Sequence, residues 1–374
     1  MKIVCIAASF IPANTANSIQ VIKASQSLAV LGHDVRLLVP GEKETTWDDL
    51  KTHYGLRERF EIRWIRENLS FRRYDFAYKA VREAHQLEPD LVYTWVLQAG
   101  VLALWRMLPV VLELHDRIMG RMGPWLFNRF WKAQAPKRVL TNSGALRQAL
   151  ISEFSLKEAA DQIRVAPNGV DLARYQDLPE PDQARKALGL PEGFTAGYTG
   201  HFYAGRGMDL MYNLAQSLPE MQFLWVGGEP ADVALWEQRA RSQGVDNLTL
   251  TGFVANASLP LYQAAGDVLL MPYETQIAGS GGGDSADVAS PMKMFEYLAA
   301  GRPIVSSDLP VIHEVLDETI AVFCPPEDFA SWKATLQDLR QDPARCKALA
   351  DAARKTARHY TWRARAESAL KDLL

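Results

Sequence analysis

The chain has little cysteine, no surplus of charge of one sign and no long apolar run. It has 374 residues with three Cys, and 41 Lys and Arg against 44 Asp and Glu give a net charge of −3. A nucleic-acid-binding protein needs a concentrated basic face, and this composition indicates none. No apolar run reaches the roughly 18–20 residues that a bilayer-spanning helix needs. We therefore expect neither a nucleic-acid partner nor a membrane span.

The cysteines Cys5, Cys324 and Cys346 are odd in number and far apart. Cys5 and Cys324 lie in apolar, strand-like runs, where buried free thiols are favoured over disulfides. Free thiols are typical of a reducing compartment, so we expect a cytoplasmic location. The opening residues, Met1–Ala8, lead directly into a helical pattern, which favours a first strand over a signal peptide.

Short apolar runs alternate with longer amphipathic stretches, a pattern that predicts βα units and parallel sheets. A boundary is expected at the Pro- and acid-rich segment Leu172–Pro181. It separates an N-terminal Rossmann-like domain, 1–172, from a second one, 173–357. The predicted strands are Ile3–Ala7, Val35–Val39, Ile62–Ile65, Leu91–Thr94, Val110–Leu114, Arg138–Leu140 and Ile163–Ala166, then Thr195–Thr199, Gln222–Val226, Leu248–Thr251, Val268–Met271, Ile304–Ser306 and Ala321–Cys324.

The segment Ser290-Pro-Met-Lys-Met-Phe-Glu296 combines a helix start with a cation and a carboxylate. Pro291 suits the first helical turn because its missing N–H would be unpaired there anyway. The N–H groups of that turn and the helix dipole form an anion site, to which Lys293 adds a positive charge. Glu296 lies on nearly the same face and can accept two hydroxyl hydrogen bonds, as a ribose offers. The alternative is a capped helix with a solvated Lys293–Glu296 pair.

At these residues the chain resembles the retaining glycosyltransferases of family four (glycosyl transferases group 1). Each motif alone is weak or moderate, but their joint order and spacing make the match specific. The resemblance covers nearly the whole chain through Met1–Ile6, Gly32–Leu38, Ala166–Asp171, Tyr198–Gly207, Ser290–Glu296, Ala299–Pro303, Ser307-Asp308 and Tyr360–Trp362.

The resemblance implies an α/β chain with the GT-B fold, in which two Rossmann-like βαβ domains face a central cleft. It also implies a C-terminal helix, about 358–374, that packs back on the first domain; a helix that stays on the second domain is the alternative. The implied activity moves a hexose-type sugar from a UDP- or GDP-linked donor to a hydroxyl of a glycan or lipid-linked acceptor. In the implied front-face mechanism the leaving phosphate helps remove the acceptor proton.

Arg206 is the leading catalytic candidate. It lies in a Gly- and aromatic-rich loop after a predicted strand, and ligands of open α/β sheets bind at such strand ends. An Arg there can clamp a diphosphate and stabilise the charge that builds on the leaving phosphate. The resemblance implies a second Arg where this chain has His201; the alternative for Arg206 is a surface position.

No cofactor or metal is expected, because the sequence shows no ligand cluster of suitable spacing. Arg206, Lys293 and the helix N-terminus would replace a divalent cation at the diphosphate. His115, at the end of Leu112–Asp116, is the third catalytic candidate. Glu113 and Asp116 are expected to orient its ring. The resemblance implies contact with the donor sugar or nearby backbone; a structural His is the alternative.

The other site residues follow from the same resemblance. The family commonly has a first glutamate where this chain has Val288, so three alternatives stay open for that sugar contact: Asp287 makes it, the amides of 289–292 make it, or no group does. The opening loop has Ala16-Asn17 where the family has a Gly pair, and Ser18 is the predicted N-cap of a helix ending at Leu31-Gly32. The predicted donor-binding residues are Gly200, His201, Val254, Pro272, Ser290, Pro291, Met292 and Glu296, and the acceptor- or sugar-side residues are Asn17, Ser18 and Asn168.

Two segments allow alternative interpretations. Ala278–Asp287 is Gly-rich and is predicted to be a loop that orders when donor binds. Met119–Lys132 interleaves aromatic and basic residues. A core helix with a solvated face is favoured there over a membrane-surface helix. The second alternative would imply peripheral contact with the inner face of the cell membrane and a lipid-linked acceptor.

Four other functions are alternatives to sugar transfer. A GT-B epimerase would act on the donor without an acceptor, and a phosphorylase would need a pyridoxal-phosphate Lys that nothing here singles out. A non-catalytic protein would bind the nucleotide sugar without transfer or hydrolysis. A Rossmann dehydrogenase is disfavoured because the first βα turn lacks Gly-x-Gly-x-x-Gly.

Overall fold

Two parallel sheets with helices packed against them form the framework of the chain. The computed structural model describes residues 1–42, 45–68, 71, 73–276 and 287–373. They divide into two units, Met1–Asn168 with Trp362–Leu374, and Gly169–Thr361. The predicted Gly-rich loop lies outside the described residues except for Asp287.

The first unit contains a seven-stranded parallel sheet. Its strands are β1 (Lys2–Ile6), β2 (Asp34–Pro40), β3 (Glu61–Ile65), β4 (Leu91–Thr94), β5 (Val110–Leu114), β6 (Lys137–Thr141) and β7 (Ile163–Val165). They lie in the order β3-β2-β1-β4-β5-β6-β7. Its helices are α1 (Ala16–Val30), α2 (Trp47–Tyr54), α3 (Tyr74–Gln86), α4 (Leu97–Trp105), α5 (Gly123–Trp131), α6 (Gly144–Glu153) and the last helix of the chain, α14 (Trp362–Leu370).

The second unit contains a six-stranded parallel sheet. Its strands are β8 (Thr195–Thr199), β9 (Gln222–Val226), β10 (Leu248–Leu250), β11 (Val268–Met271), β12 (Ile304–Ser307) and β13 (Ala321–Cys324), in the order β10-β9-β8-β11-β12-β13. Its helices are α7 (Pro181–Leu188), α8 (Met208–Ser217), α9 (Pro230–Gln243), α10 (Leu259–Ala264), α11 (Met292–Ala300), α12 (Phe329–Gln341) and α13 (Pro343–Ala357). Each sheet reverses its order beside its first strand, the position where open α/β sheets bind ligands.

The strands are continuous apolar runs because helices cover both faces of each sheet. All four residues of β11 are buried, as are four of the five in β1. The predicted strands are confirmed to within a residue or two at their ends. Cys5 and Cys324 are buried, and all three cysteines are free thiols, as expected.

Thr15, not Ser18, is the N-cap of α1. The Thr15 hydroxyl accepts from the Ser18 N–H at 3.3 Å, so Ser18 lies inside the helix. The Ser18 Oγ donates to the carbonyls of Ala13 and Thr15 at 2.6 and 2.8 Å. The cap prediction is wrong because both hydroxyls suit the position and the sequence does not show which one faces the first turn. The helix ends as predicted, with Leu31 as its C-cap and Gly32 at φ 84°.

Pro291 is the N-cap of α11 and precedes its first turn. Its backbone is extended, with φ −71° and ψ 132°, and its carbonyl accepts from the Met294 N–H at 3.1 Å. The predicted position was one residue too far into the helix, but Pro still terminates the extended segment without losing a needed N–H. Gly301 ends the helix in the left-handed region at φ 59°.

The last helix, α14, belongs to the first unit. It packs against α1, and Ala366 and Ala369 lie in the core of that unit. Arg138 of β6 donates to the carbonyls of Ala369 and Lys371 at 2.9 and 2.6 Å. The predicted start of this segment, about 358, lies between the end of α13 and the start of α14, and the predicted boundary at 172 lies just inside the second unit.

The aromatic and basic stretch around α5 has one buried apolar face and one exposed face. Leu126, Phe127 and Phe130 are buried, as the core alternative requires. Met119 is 68% exposed and Trp125 46% exposed, and the Arg129 guanidinium lies 5.2 Å from the Trp125 ring centroid. Within the described residues, no helix is both long and apolar enough to span a bilayer.

Candidate functional site

The loops that follow β8 and β11 meet the start of α11 at the carboxyl edge of the second sheet. A Cβ added to Gly200, after β8, would lie 2.8 Å from the Lys293 Nζ. A Cβ added to Gly207 would lie 2.0 Å from the carbonyl oxygen of Pro272, after β11. Gly207 also has φ 67°, so only glycine fits both the conformation and the space. The close approach of these loops brings several predicted site residues together.

The Lys293 ammonium packs against aromatic rings. Its Nζ lies 3.7 Å from the ring centroid of Tyr198 and 5.7 Å from that of Tyr273. Burial, and then the nearby Arg206, hold the pKa of Lys293 well below its ordinary value, while Glu296 raises it. A cation in such a place is costly until an anion arrives, which is the property expected of an anion-binding lysine.

Arg206 also lies over the Tyr273 ring. Its Cζ lies 5.0 Å from the Tyr273 ring centroid, and the residue is half-buried. Glu274 fixes the loop on both sides of it: the Glu274 N–H donates to the Gly205 carbonyl at 3.1 Å, and its Oε1 accepts from the Gly207 N–H at 3.2 Å. The two predicted cations are therefore held beside one aromatic ring.

Glu296 lies at the end of a chain of polar contacts. Its Oε2 accepts from Gln263 Nε2 at 3.2 Å, and the same amide donates to Thr199 Oγ1 at 3.3 Å. Tyr175 in turn donates to Gln263 Oε1 at 2.9 Å. These contacts orient one carboxylate oxygen toward the sheet, and the half-buried residue keeps acceptor capacity for a ligand.

The other predicted donor-side residues are less closely tied to this group. The His201 ring stacks on Tyr203, with 4.7 Å between centroids, and its Nδ1 lies 4.0 Å from Glu229 Oε1. Val254 packs against an apolar cluster that includes Val226. Pro272 is buried, and Ser290 and Met292 are half-buried beside Pro291 at the start of α11.

In the first unit, His115 contacts a buried carboxylate. His115 Nε2 lies 2.5 Å from Glu113 Oε1, as expected for a ring that Glu113 orients. An ionised carboxylate only accepts hydrogen bonds, so Nε2 carries the proton and Nδ1 points to the opposite side of the ring. Asp116 instead accepts from the Arg117 N–H at 2.8 Å.

Glu113 joins elements that are far apart in sequence. Arg365 of α14 and Gln20 of α1 each place a nitrogen 2.5 Å from Glu113 Oε1, and the Tyr93 hydroxyl donates to Oε2. Burial raises the pKa of Glu113, but Arg365 and His115 together lower it by more. The net pKa of Glu113 therefore lies well below its ordinary value. The carboxylate is therefore ionised inside the unit.

The acceptor-side candidates lie in different settings. Asn17 is exposed, and its Nδ2 donates to Ser9 Oγ at 2.9 Å. Ser18 is fully buried with its hydroxyl directed at backbone carbonyls, which places it in the support of the loop. Asn168 is buried at the end of the first unit's main segment.

Sequence reasoning missed Tyr198, Tyr273, Gln263 and Arg365. Tyr198 lies in an apolar strand and resembles an ordinary core residue, and Arg365 lies in a helix with many charges. The one sequence signal for these residues was the position of Tyr198, two residues before Gly200 in the motif Tyr198–Gly207 that also contains Arg206.

Two family models match the chain in succession: Glycosyltransferase Family 4 over residues 18–174, and Glycosyl transferases group 1 over residues 193–342. The chain belongs to the group 1, family-four glycosyltransferases. The two matched ranges together cover most of the chain; the first lies almost wholly in the first unit and the second in the second unit.

Similar proteins agree with this assignment. A glycosyltransferase named for teichuronic acid biosynthesis in Bacillus subtilis is 27% identical over 158 residues, 41% of this chain and 36% of the relative. The D-inositol 3-phosphate glycosyltransferase of Kineococcus radiotolerans is 25% identical over 262 residues, 64% of this chain and 57% of the relative. The chain thus spans less than two thirds of the length of these curated relatives.

A crystal structure of Anabaena HepE in complex with UDP-glucose has a TM-score of 0.76 at 18% identity, over 100% of this chain and 99% of that chain. At this identity the likeness shows the fold. The predicted GT-B fold, with two Rossmann-like domains, is confirmed.

Within the described residues, no group of three or more His, Cys, Asp or Glu side chains is arranged to hold a metal ion. The positive charge that the described donor-side group offers to an anion comes from Lys293 and Arg206, together with the N–H groups at the start of α11.

We predict that Arg365→Met destabilises the protein by about 3–5 kcal/mol, because it leaves Glu113 buried and ionised without its cation. The depressed pKa of Glu113 contributes stability above the ordinary carboxyl pKa, and that stability is lost as pH falls through the folded-state pKa. In the variant the acid-induced loss should begin at higher pH. Urea unfolding across a pH series measures both effects.

The double variant Glu113→Gln/Arg365→Met is the matched control. It removes both charges, so it should recover part of the stability lost in Arg365→Met. Equal stability of Arg365→Met and wild type at neutral pH would contradict the account of the buried pair.

Proposed function

We propose that this chain is a retaining glycosyltransferase that moves a hexose-type sugar from a nucleotide diphosphate sugar to a hydroxyl of a glycan or lipid-linked acceptor. One observation carries the proposal: Lys293 and Arg206 lie beside the same ring, Tyr273, with Glu296 on the same helix as Lys293. Two cations and a carboxylate at the start of a helix suit a diphosphate joined to a ribose.

The two cations act where negative charge develops. As the bond between the sugar and the β-phosphate breaks, the leaving diphosphate gains charge, and Arg206 and Lys293 stabilise it. The N–H groups of the first turn of α11 add partial positive charge at the same place. We propose that these groups, without a metal or cofactor, balance the negative charge of the leaving diphosphate.

The sugar and acceptor are assigned to the remaining candidates. His115, with its tautomer set by Glu113, presents Nδ1 for a sugar hydroxyl. Front-face attack retains the anomeric configuration, and the leaving phosphate takes the acceptor proton. Asn17 and Asn168 stay the acceptor- or sugar-side candidates; Ser18 supports the Asn17 loop.

The comparisons favour UDP over GDP as the nucleotide, since the similar Anabaena structure contains UDP-glucose. A glycan acceptor is supported by the relative named for teichuronic acid biosynthesis. A lipid-linked acceptor at the inner membrane face is supported by the exposed Met119 and Trp125 beside Arg129. Thermal unfolding with a panel of UDP- and GDP-sugars tests the donor, because a bound donor raises stability by mass action.

We predict that Arg206→Ala lowers the turnover of sugar transfer by roughly a hundredfold or more and leaves the fold intact, because the charge on the leaving phosphate loses a fixed cation. Initial rates of transfer, measured with the donor found in the panel and with or without acceptor, give the effect. They also separate transfer from epimerisation and from binding alone.

Arg239→Ala is the matched control for this variant. Arg239 also lies over aromatic rings of the second unit, 4.2 Å from the Tyr212 centroid and 5.0 Å from the Trp236 centroid, and it pairs with Asp209. It should transfer sugar at nearly the wild-type rate. Near-normal turnover in Arg206→Ala would count against the assignment.

We predict that Glu296→Gln weakens binding of the free nucleoside diphosphate by roughly ten- to a hundredfold, since hydrogen bonds to a charged group are lost. Calorimetric titration measures the change in Kd. The 2′-deoxyribose form of the same nucleotide is the control ligand: the variant should discriminate less between the two forms than wild type does. Unchanged affinity would reject the ribose role.

A further inference from the structure

Two tyrosine rings lie against the Lys293 and Arg206 side chains of the proposed donor site. Lys293 Nζ lies 3.7 Å from the Tyr198 centroid and 5.7 Å from the Tyr273 centroid, and Arg206 Cζ lies 5.0 Å from the Tyr273 centroid. Ring faces attract cations at these distances. The rings therefore offset part of the cost of bringing two like charges together.

Both rings are rigidly mounted. Tyr198 is 1% exposed and Tyr273 3% exposed. The Tyr198 hydroxyl donates to the His201 carbonyl at 2.7 Å, which fixes the end of the ring over Lys293. The Tyr273 carbonyl accepts from Ser307 Oγ at 2.6 Å, which ties its backbone to β12.

The Lys293 ammonium meets different groups from each surrounding element. Strand β8 contributes the Tyr198 face, the loop after β8 contributes the Arg206 guanidinium, and the loop after β11 contributes the Tyr273 ring. Its own helix contributes the Glu296 carboxylate. Burial and Arg206 lower the pKa of Lys293 and Glu296 raises it, and the first two effects prevail.

A bound diphosphate would reverse this balance. It would bring two or more negative charges to the ammonium, which favour the protonated amine. The amine lone pair would then take a proton from the buffer, forming one N–H bond and one positive charge. Both the bound anion and the ring faces would then stabilise the Lys293 ammonium.

We propose that Tyr198 and Tyr273 are positioning residues that keep Lys293 and Arg206 together as a preformed diphosphate clamp, and that Lys293 takes up a proton when a nucleoside diphosphate binds. This inference rests on the proposed function. It adds that nucleotide affinity falls as pH rises through the range where free Lys293 is losing its proton, because binding then requires proton uptake from solution, which costs more free energy at higher pH.

The proton is counted by calorimetric titration of UDP and GDP in two buffers of different ionisation enthalpy. At about pH 8.5 the phosphates are fully ionised, more than two units above their second pKa of ~6, so they take up no proton themselves. Wild type should show net uptake of up to about one proton per nucleotide. Lys293→Arg keeps a cation that does not titrate, so it should bind nucleotide with no uptake.

The role of the rings is tested with paired substitutions. Tyr198→Phe keeps the buried ring face and loses only the hydrogen bond to the His201 carbonyl, so it should retain most of the affinity and the proton uptake. Tyr198→Leu removes the face and should weaken nucleotide binding by roughly three- to thirtyfold. Tyr212→Leu is the control: Tyr212 is also a buried tyrosine beneath an arginine, Arg239, but it should lose thermal stability without losing nucleotide affinity.

The outcomes are separable. Nucleotide binding with no proton uptake in wild type, or equal uptake in wild type and Lys293→Arg, would overturn this inference and leave the proposed function standing. Equal affinities of Tyr198→Phe and Tyr198→Leu would overturn the role of the ring. Failure of both UDP and GDP to bind would overturn the inference and the proposed function together.

Discussion

The pairing of β8 with β11 is the constraint on which the donor-side group depends. It places the end of one strand beside the end of the other, so that the Gly200 loop, the Pro272 loop and the start of α11 share one edge. The space between them is filled: a side chain at Gly200 would meet Lys293, and one at Gly207 would meet Pro272. The sheet order, more than the motif, sets where the cations lie.

Charge burial is handled differently in the two units. In the first, Glu113 is enclosed with Arg365, His115, Gln20 and Tyr93, so its charge is balanced within the fold. In the second, Lys293 and Arg206 lie against rings and beside each other, so their charge is balanced only in part. A balanced buried charge suits a structural tie, and an unbalanced one suits the capture of an anion.

Much of the fold and part of the arrangement of the candidate site could be predicted from the sequence. The strands could be predicted because burial on both faces produces unbroken apolar runs such as Val268–Met271. The shared helix face of Lys293 and Glu296 could be predicted because helical spacing and a Pro at the helix start are local signals. Tyr198 and Arg365 could not, because their roles arise from partners far away in sequence, Lys293 and Glu113. The N-cap Thr15 was missed because the hydroxyls of Thr15 and Ser18 both suit the N-cap position of α1.

The most direct test of the account is a crystal structure of this protein with the nucleotide sugar that stabilises it. The account predicts diphosphate oxygens within about 3 Å of the Arg206 guanidinium and the Lys293 ammonium, and ribose hydroxyls on Glu296. A donor bound elsewhere, with Arg206 and Lys293 still packed on their tyrosines and making no contact with it, would contradict the account.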